Sequence, residues 1–221
     1  MFDSWGNVNV PLRLIRRLAG NRSTEVIVTL APNWFNRREN LEPDRLDMVF
    51  GGPQYWEPAN REQDTGERWR AWLDTYRGAL RRAGFRYQLH FQVVPKTGLP
   101  LYLVYGTNSD RGVEVMKDAM WKVDANDGIG FADPQTRGAP LPGQQTLLWG
   151  GPEHPELLEL VQQRLNEGPV SLEDLKRWLL FETARWRARD AAPAVRELLD
   201  MGAVSVEPPG KLTRDSVIRL R

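Results

Sequence analysis

The chain has no cysteine among its 221 residues. That excludes a disulfide framework, a thiolate nucleophile and a thiolate-held metal. Its two histidines, His90 and His154, are too few and too far apart in sequence for a zinc cluster, so no metal site is expected. No apolar run approaches the length that spans a bilayer, and no basic segment leads into an apolar one at the N-terminus. A cytoplasmic protein is the expectation. Charge of one sign is also lacking: 30 Lys and Arg stand against 29 Asp and Glu, a net +1. No global field therefore draws the chain to nucleic acid or acidic lipid, and any basic site must be local. Internal repeats and low-complexity tracts are absent. Tryptophan, by contrast, is plentiful, with nine residues, which reads as core and interdomain packing because a buried aromatic carries a large apolar area. At 41% hydrophobic, the length suits one α/β domain and a smaller one.

Pro11 fits the first turn of a helix, Leu12, Ile15 and Ala19 share one face and Gly20 supplies the stop, which predicts an amphipathic crossover helix. The run from Glu25 to Ala31 is apolar and rich in β-branched residues, as in a strand buried on both faces of a parallel sheet. Pro32 closes it, and a polar loop with Asn33, Trp34, Asn36, Arg37 and Arg38 follows. A short helix is predicted from Asp44 to Phe50, then a turn at Gly51-Gly52-Pro53. Between Arg61 and Ala83, Trp69, Trp72, Leu73, Tyr76 and Leu80 recur at helical spacing with five arginines mostly on other faces, which predicts one long surface helix. Phe85, Leu89, Phe91 and Val93 alternate with Arg86, Gln88, His90 and Gln92 in a half-buried strand, and Leu101 to Tyr105 returns as its hairpin partner. Asp110 can cap a helix that turns Val113, Met116, Met120 and Val123 towards the sheet. Thr146 to Trp149 reads as a last short strand, and Gly150-Gly151-Pro152 as a linker.

The expected organisation is thus a partial α/β domain over residues 1–150 and a second domain over 153–221. The second has a helix through Leu157 to Leu165, another N-capped by Ser171 with Glu173 and Asp174 in its first turn, and a third over Ala191 to Met201. Strands at Val204 to Val206 and Val217 to Leu220 flank Pro208-Pro209-Gly210-Lys211. Three helices and a two-stranded ribbon read as a winged helix-turn-helix.

Several stretches resemble one family, the three-Cys-motif partner proteins (TcmP), whose members look like class I methyltransferases with a winged-helix tail. They are FDSWGNVNVPLRLI, EVIVTLAPNWFNR, FGGPQYW, YLVYGTNSDRGVEVMKDAMWKVD and TARWRARDAAPAVRELLDMGAV. MKDAMWKVD and the tyrosine-rich strand before it are the most specific. The resemblance implies the second half of a Rossmann-like methyltransferase sheet closed by an antiparallel hairpin. The family's glycine-containing cofactor loop and acidic ribose-binding strand have no counterpart in the match. S-adenosylmethionine is accordingly expected only if an upstream half supplies them, and the strand Glu25 to Ala31 is expected to leave a bare edge open to self-association. The family name implies a cysteine-motif, radical-enzyme-like partner.

The signature at Asp3-Ser4-Trp5-Gly6 departs from the family's in having Ser4 for Pro and Trp5 for Phe. Methyl transfer to an amine needs a held donor, an acceptor group that orients the amine and a flat wall, so proximity supplies much of the rate. Asp3 would be that acceptor and Trp5 the wall, with Ser4 and Gly6 beside the substrate. The structural alternative has Asp3 capping the next helix, Gly6 making the turn and Trp5 filling core. Asn33, Asn36 and Arg37 follow a strand, at the sheet edge where open α/β folds bind ligands, or else form a solvated loop. In the second domain Arg185, Arg187 and Arg189, with Arg196 in the third helix and Lys211 and Arg214 at the wing, form the candidate nucleic-acid surface. Residues 169–221 carry ten basic and eight acidic groups, so a protein-docking winged helix is the competing reading.

Overall fold

The computed structural model describes residues 1–2, 10–21, 23–31, 34–35, 42–125, 127–132 and 154–221. The chain divides into two compact units, Met1–Pro140 and Leu141–Arg221. Among the described residues the chain is mixed α/β, with one mixed sheet and one antiparallel sheet.

In the first unit α1 (Leu12–Ala19) and β1 (Val26–Leu30) are followed by α2 (Pro43–Phe50), α3 (Pro53–Arg61) and α4 (Thr65–Ala83). Then come β2 (Tyr87–Val94), β3 (Leu101–Thr107), α5 (Asp110–Val123) and β4 (Gly130–Ala132). The sheet order is β1-β3-β2-β4. β3 is antiparallel to both neighbours, with Val104 opposite Val28 on one side and His90 on the other, so β1 and β2 run the same way with β3 between them. β4 pairs with β2 in parallel. Phe2 makes a parallel bridge to Val28; its N–H donates to the Ile27 carbonyl at 2.8 Å and its carbonyl accepts from Thr29 at 3.2 Å.

Two expectations for β1 change. Its long neighbour β3 is antiparallel, and the edge expected to be bare is met by Phe2 at Ile27–Thr29. The expected burial holds, because Val26, Val28, Thr29 and Leu30 are all buried.

The core is aromatic. Phe35 stacks on Trp72 at 4.7 Å, and Phe50 lies 5.6 Å from Trp72 and 6.1 Å from Tyr76. Val28, Leu30 and Val104 close it from the sheet. With Trp72 and Tyr76 at 0% and 1% exposure, α4 is a core helix and not the surface helix its arginines suggested. Those arginines lie outside the apolar stripe, Arg70 pairing with Glu67 and Arg77 with Asp74 at 3.0 Å each. Asp64 starts α4 by accepting from the Glu67 N–H at 2.8 Å. The predicted turn is present at Gly51-Gly52, and the residues between it and Glu62 form α3, a helix the sequence pattern did not predict. Pro53 sits at its first position, where the missing N–H had no partner to lose.

Ser109, not Asp110, caps α5, its hydroxyl accepting from Gly112 at 3.0 Å. Val113 and Met120 are buried as expected, whereas Val123 is exposed. Beyond the helix, the Asp124 carboxylate accepts from Asp127, Ile129 and Gly130 at 3.2 Å each, which turns the chain into β4. The strand predicted at Thr146 to Trp149 and the linker after it lie outside the described residues.

The second unit runs α6 (Pro155–Asn166), β5 (Val170–Ser171), α7 (Leu172–Glu182), a 3-10 turn (Ala188–Asp190), α8 (Ala191–Asp200), β6 (Val204–Glu207) and β7 (Val217–Leu220). Its sheet has the order β5-β7-β6, all antiparallel. Ser171 caps α7 as expected, accepting from Asp174 at 3.0 Å. Val161, Leu165, Leu175, Leu179, Val195, Leu198 and Ile218 fill the core. β5 was not foreseen. Two residues carry no strand pattern, and they are held extended only by pairing with β7.

The joint between sheet and α5 is testable. A methyl group on Gly112 would lie 2.3 Å from Glu25 Oε1, 2.7 Å from Thr107 Oγ1 and 2.8 Å from the Tyr105 hydroxyl. Thr107 donates to that Glu25 oxygen at 3.1 Å, and burial, then the hydrogen bond to Glu25, push the Tyr105 pKa up. Gly112→Ala is expected to destabilise by about 1–3 kcal/mol through this crowding, read as a lower thermal midpoint by circular dichroism. An unchanged midpoint would contradict the close approach.

Candidate functional site

The residues predicted to carry chemistry at the sheet edge, Asp3, Ser4, Trp5, Gly6, Asn33, Asn36 and Arg37, lie outside the described residues. Their frame is described. Phe2 is hydrogen-bonded to β1 on both sides of Val28. Past the C-terminal end of β1, Trp34 donates its N–H to the Ala31 carbonyl at 2.9 Å, and Phe35 is fully buried on Trp72. Trp34 meets Phe35 edge-on at 5.1 Å, and the Arg45 guanidinium lies 5.0 Å over its ring. The segment after β1 is thus anchored by an aromatic pair in the core.

Among the described residues there is no group of three or more His, Asp or Glu placed to hold a metal ion. No described helix is long and apolar enough to cross a membrane. His90 is half-buried on β2, its ring 6.1 Å from that of Tyr102. Burial, then the Arg77 charge, opposed by Asp74, push its pKa down to about 4. It is neutral at neutral pH and a weak base, which suits a structural residue better than a catalytic one.

The six cationic residues proposed for nucleic acid separate into two groups. Arg185 is 15% exposed, forms an ion pair with Glu156 and lies 4.4 Å over the buried Trp186 ring. His154 packs edge-on to the same ring at 5.2 Å. Glu156, on α6, is thus the partner of Arg185 in place of the Glu182 that a one-turn spacing suggests, and together they tie α6 to the segment after α7. Arg187 is 17% exposed and its guanidinium meets Asp190 through Nε at 3.0 Å and Nη2 at 2.7 Å, while its backbone N–H donates to the same carboxylate at 2.8 Å. Both arginines are tied within the unit, and Arg187 is less exposed than expected. Arg189, Arg196, Lys211 and Arg214 are exposed as expected. Arg214 has Asp215 at 3.4 Å. The outward side of α8 also carries Asp200, so Arg196 has no cationic neighbour on that helix.

Sequence reasoning passed over two features. Lys117, inside the MKDAMWKVD stretch, is completely buried; in sequence it reads as one more polar residue of an amphipathic helix. Arg13, Arg16 and Arg17 are exposed on α1, a helix with no acidic residue. The uncompensated charge of LRLIRRLA was the signal that could have found them. Comparison of the chain with protein-family models, curated proteins and solved structures finds no match.

Two outcomes follow from these roles. Removing the Arg187 side chain strips a nearly buried carboxylate of its partner, so Arg187→Ala is expected to cost about 1–3 kcal/mol, whereas the exposed Arg196→Ala should stay within about 0.5 kcal/mol; chemical denaturation distinguishes them, and equal effects would contradict the assignment. Folding lowers the His90 pKa from 6.5 to about 4. In that window the unfolded chain binds the proton that the folded chain excludes, so stability is present above pH 6.5 and is lost as pH falls towards 4. His90→Gln should remove up to about 1.4 kcal/mol per pH unit of this slope, measured as the difference in denaturation free energy between wild type and variant. Identical slopes would contradict it.

Proposed function

We propose that the chain is a three-Cys-motif partner-like protein whose first unit is the acceptor-side half of a Rossmann-like class I methyltransferase fold and whose second unit is a winged helix, acting on or near nucleic acid or a nucleotide-derived substrate. The observation that carries the reading is the strand order. Phe2 and β1 run in parallel, and β3 enters antiparallel between β1 and β2, the arrangement that closes a class I methyltransferase sheet. The described residues of the second unit support it with three α-helices and an antiparallel sheet ordered β5-β7-β6, as a winged helix has.

S-adenosylmethionine, the donor this fold implies, does not fit the described residues alone. No described carboxylate stands at the C-terminal end of β1, β2 or β4, and no glycine-rich loop leads from any of them into a helix. The chemistry assigned to this chain is therefore that of the acceptor. Asp3 accepts a hydrogen bond from the substrate amine and orients its lone pair, Trp5 walls one side, and Ser4, Gly6, Asn33, Asn36 and Arg37 line the approach.

A second reading, a catalytically inactive protein-docking or DNA-binding winged-helix partner, draws support from the occupation of Arg185 by Glu156 and of Arg187 by Asp190. The two readings part on one experiment. Titration calorimetry of the chain with S-adenosylmethionine is expected to detect no micromolar binding. With a cofactor-binding half supplied in trans, Asp3→Ala is expected to abolish methyl transfer while donor affinity is unchanged, because only the acceptor loses an interaction. Unchanged turnover in Asp3→Ala, or no methyl transfer by the reconstituted wild type, would overturn the methyltransferase reading.

A further inference from the structure

α1 carries more positive charge than its own stability calls for. Its buried residues, Leu12, Ile15 and Ala19, occupy one side. Arg13, Arg16 and Arg17 are spaced three and four apart, so they share the opposite side, and all three are exposed. None of their side chains makes an ion pair or hydrogen bond among the described residues. Arg16 and Arg17 lie in the last turn, where cations complement the helix dipole, but Arg13 lies in the first turn, where a cation opposes it. Arg82 adds a fourth cation beside them. It is pinned 3.6 Å over the Tyr55 ring and donates to the Phe50 carbonyl at 3.0 Å. Burial, together with the like charge of Arg16 and against the raising effect of Tyr55, holds its pKa below the usual range. An open groove of about 350 Å³ runs along this side, lined among the described residues by Pro11, Arg13, Leu14 and Arg17.

We propose that this face of α1 grips the phosphate backbone of a nucleic acid, through Arg13, Arg16 and Arg17, as a contact surface of the first unit separate from the second unit's cations. Guanidinium forks match phosphate oxygens in paired hydrogen bonds, and each arginine on this side can take a different phosphate. Leu14, at 38% exposure, is the one large apolar residue on the outward side of α1, which is too little to insert into lipid or to hold an apolar peptide face. The complementary partner is therefore a water-exposed polyanion. The inference rests on the reading above in taking that polyanion to be the nucleic acid. It assigns the first unit a binding surface of its own next in sequence to Asp3–Gly6.

The test uses the full chain and fluorescence anisotropy with labelled mixed-sequence duplex DNA and single-stranded RNA over a salt series. Each phosphate contact contributes about 0.9 to the slope of log K against log salt for duplex and about 0.7 for a single strand. R13Q/R16Q/R17Q is expected to flatten the slope by about three times that value and to weaken binding by about tenfold per arginine at low salt, with an unchanged melting temperature. R13K/R16K/R17K should keep most of the slope because the charge remains. R196Q/K211Q/R214Q serves as the comparison in the second unit. If that variant loses all binding while R13Q/R16Q/R17Q binds as wild type does, the inference is overturned and the reading of the second unit stands. If the wild type binds neither nucleic acid at low salt, the inference and the nucleic-acid part of the reading fall together, while the methyl-transfer experiment stays independent. Tighter binding to polyglutamate or to phosphatidylserine vesicles than to nucleic acid would also overturn it, in favour of an acidic protein or a lipid surface.

Discussion

The first unit depends on the double antiparallel pairing of β3. By lying between β1 and β2, it holds those two strands parallel and one strand apart, and it fixes which side chains face which layer. Val28, Val104 and His90 fall on the side closed by the aromatic core, while Ile27, Tyr105 and Leu89 fall on the other. The same register brings Thr107 and Tyr105 to Glu25 and Gly112, which sets where α5 begins. A slip of one residue would exchange the two faces. It would bury the partners of the α5 joint in the aromatic core.

Around that sheet the anchors are apolar and the charges are local. Phe35 and Phe50 pack on Trp72 in the core, while two of the five arginines of α4, Arg70 and Arg77, pair along its own length with Glu67 and Asp74. α1 differs because nothing on it offsets its arginines. In the second unit the reverse holds. Arg185 and Arg187, the residues most suggestive in sequence, are held by Glu156 and Asp190, and the exposed candidates Arg189, Arg196, Lys211 and Arg214 are spread over the 3-10 turn, α8 and the β6–β7 connection.

Much of the fold was legible because local signals agreed with the tertiary structure. β1 has an uninterrupted apolar run, Ser171 and its acidic first turn mark α7, and the alternation from Phe85 to Val93 marks β2. Elements set by long-range pairing were not legible. β5 exists through β7, and β4 is positioned by Asp124. α3 was hidden by Pro58, since a helix interior disfavours proline, and the helix is held by its packing on α2 and α4. The candidate site was legible as residue types, but partners were not. Glu156 lies far from Arg185 in sequence, and no spacing rule joins them. The arginines of α1 were legible as charge and were overlooked because the helix was read for its apolar face.

The account's central claim is that the first unit meets nucleic acid itself. Photo-crosslinking of the full chain to bromodeoxyuridine-substituted DNA and thiouridine-substituted RNA, with adducts mapped by mass spectrometry, tests it most directly. The account predicts adducts on peptides that include the α1 arginines as well as on the second unit; adducts confined to the second unit would contradict it.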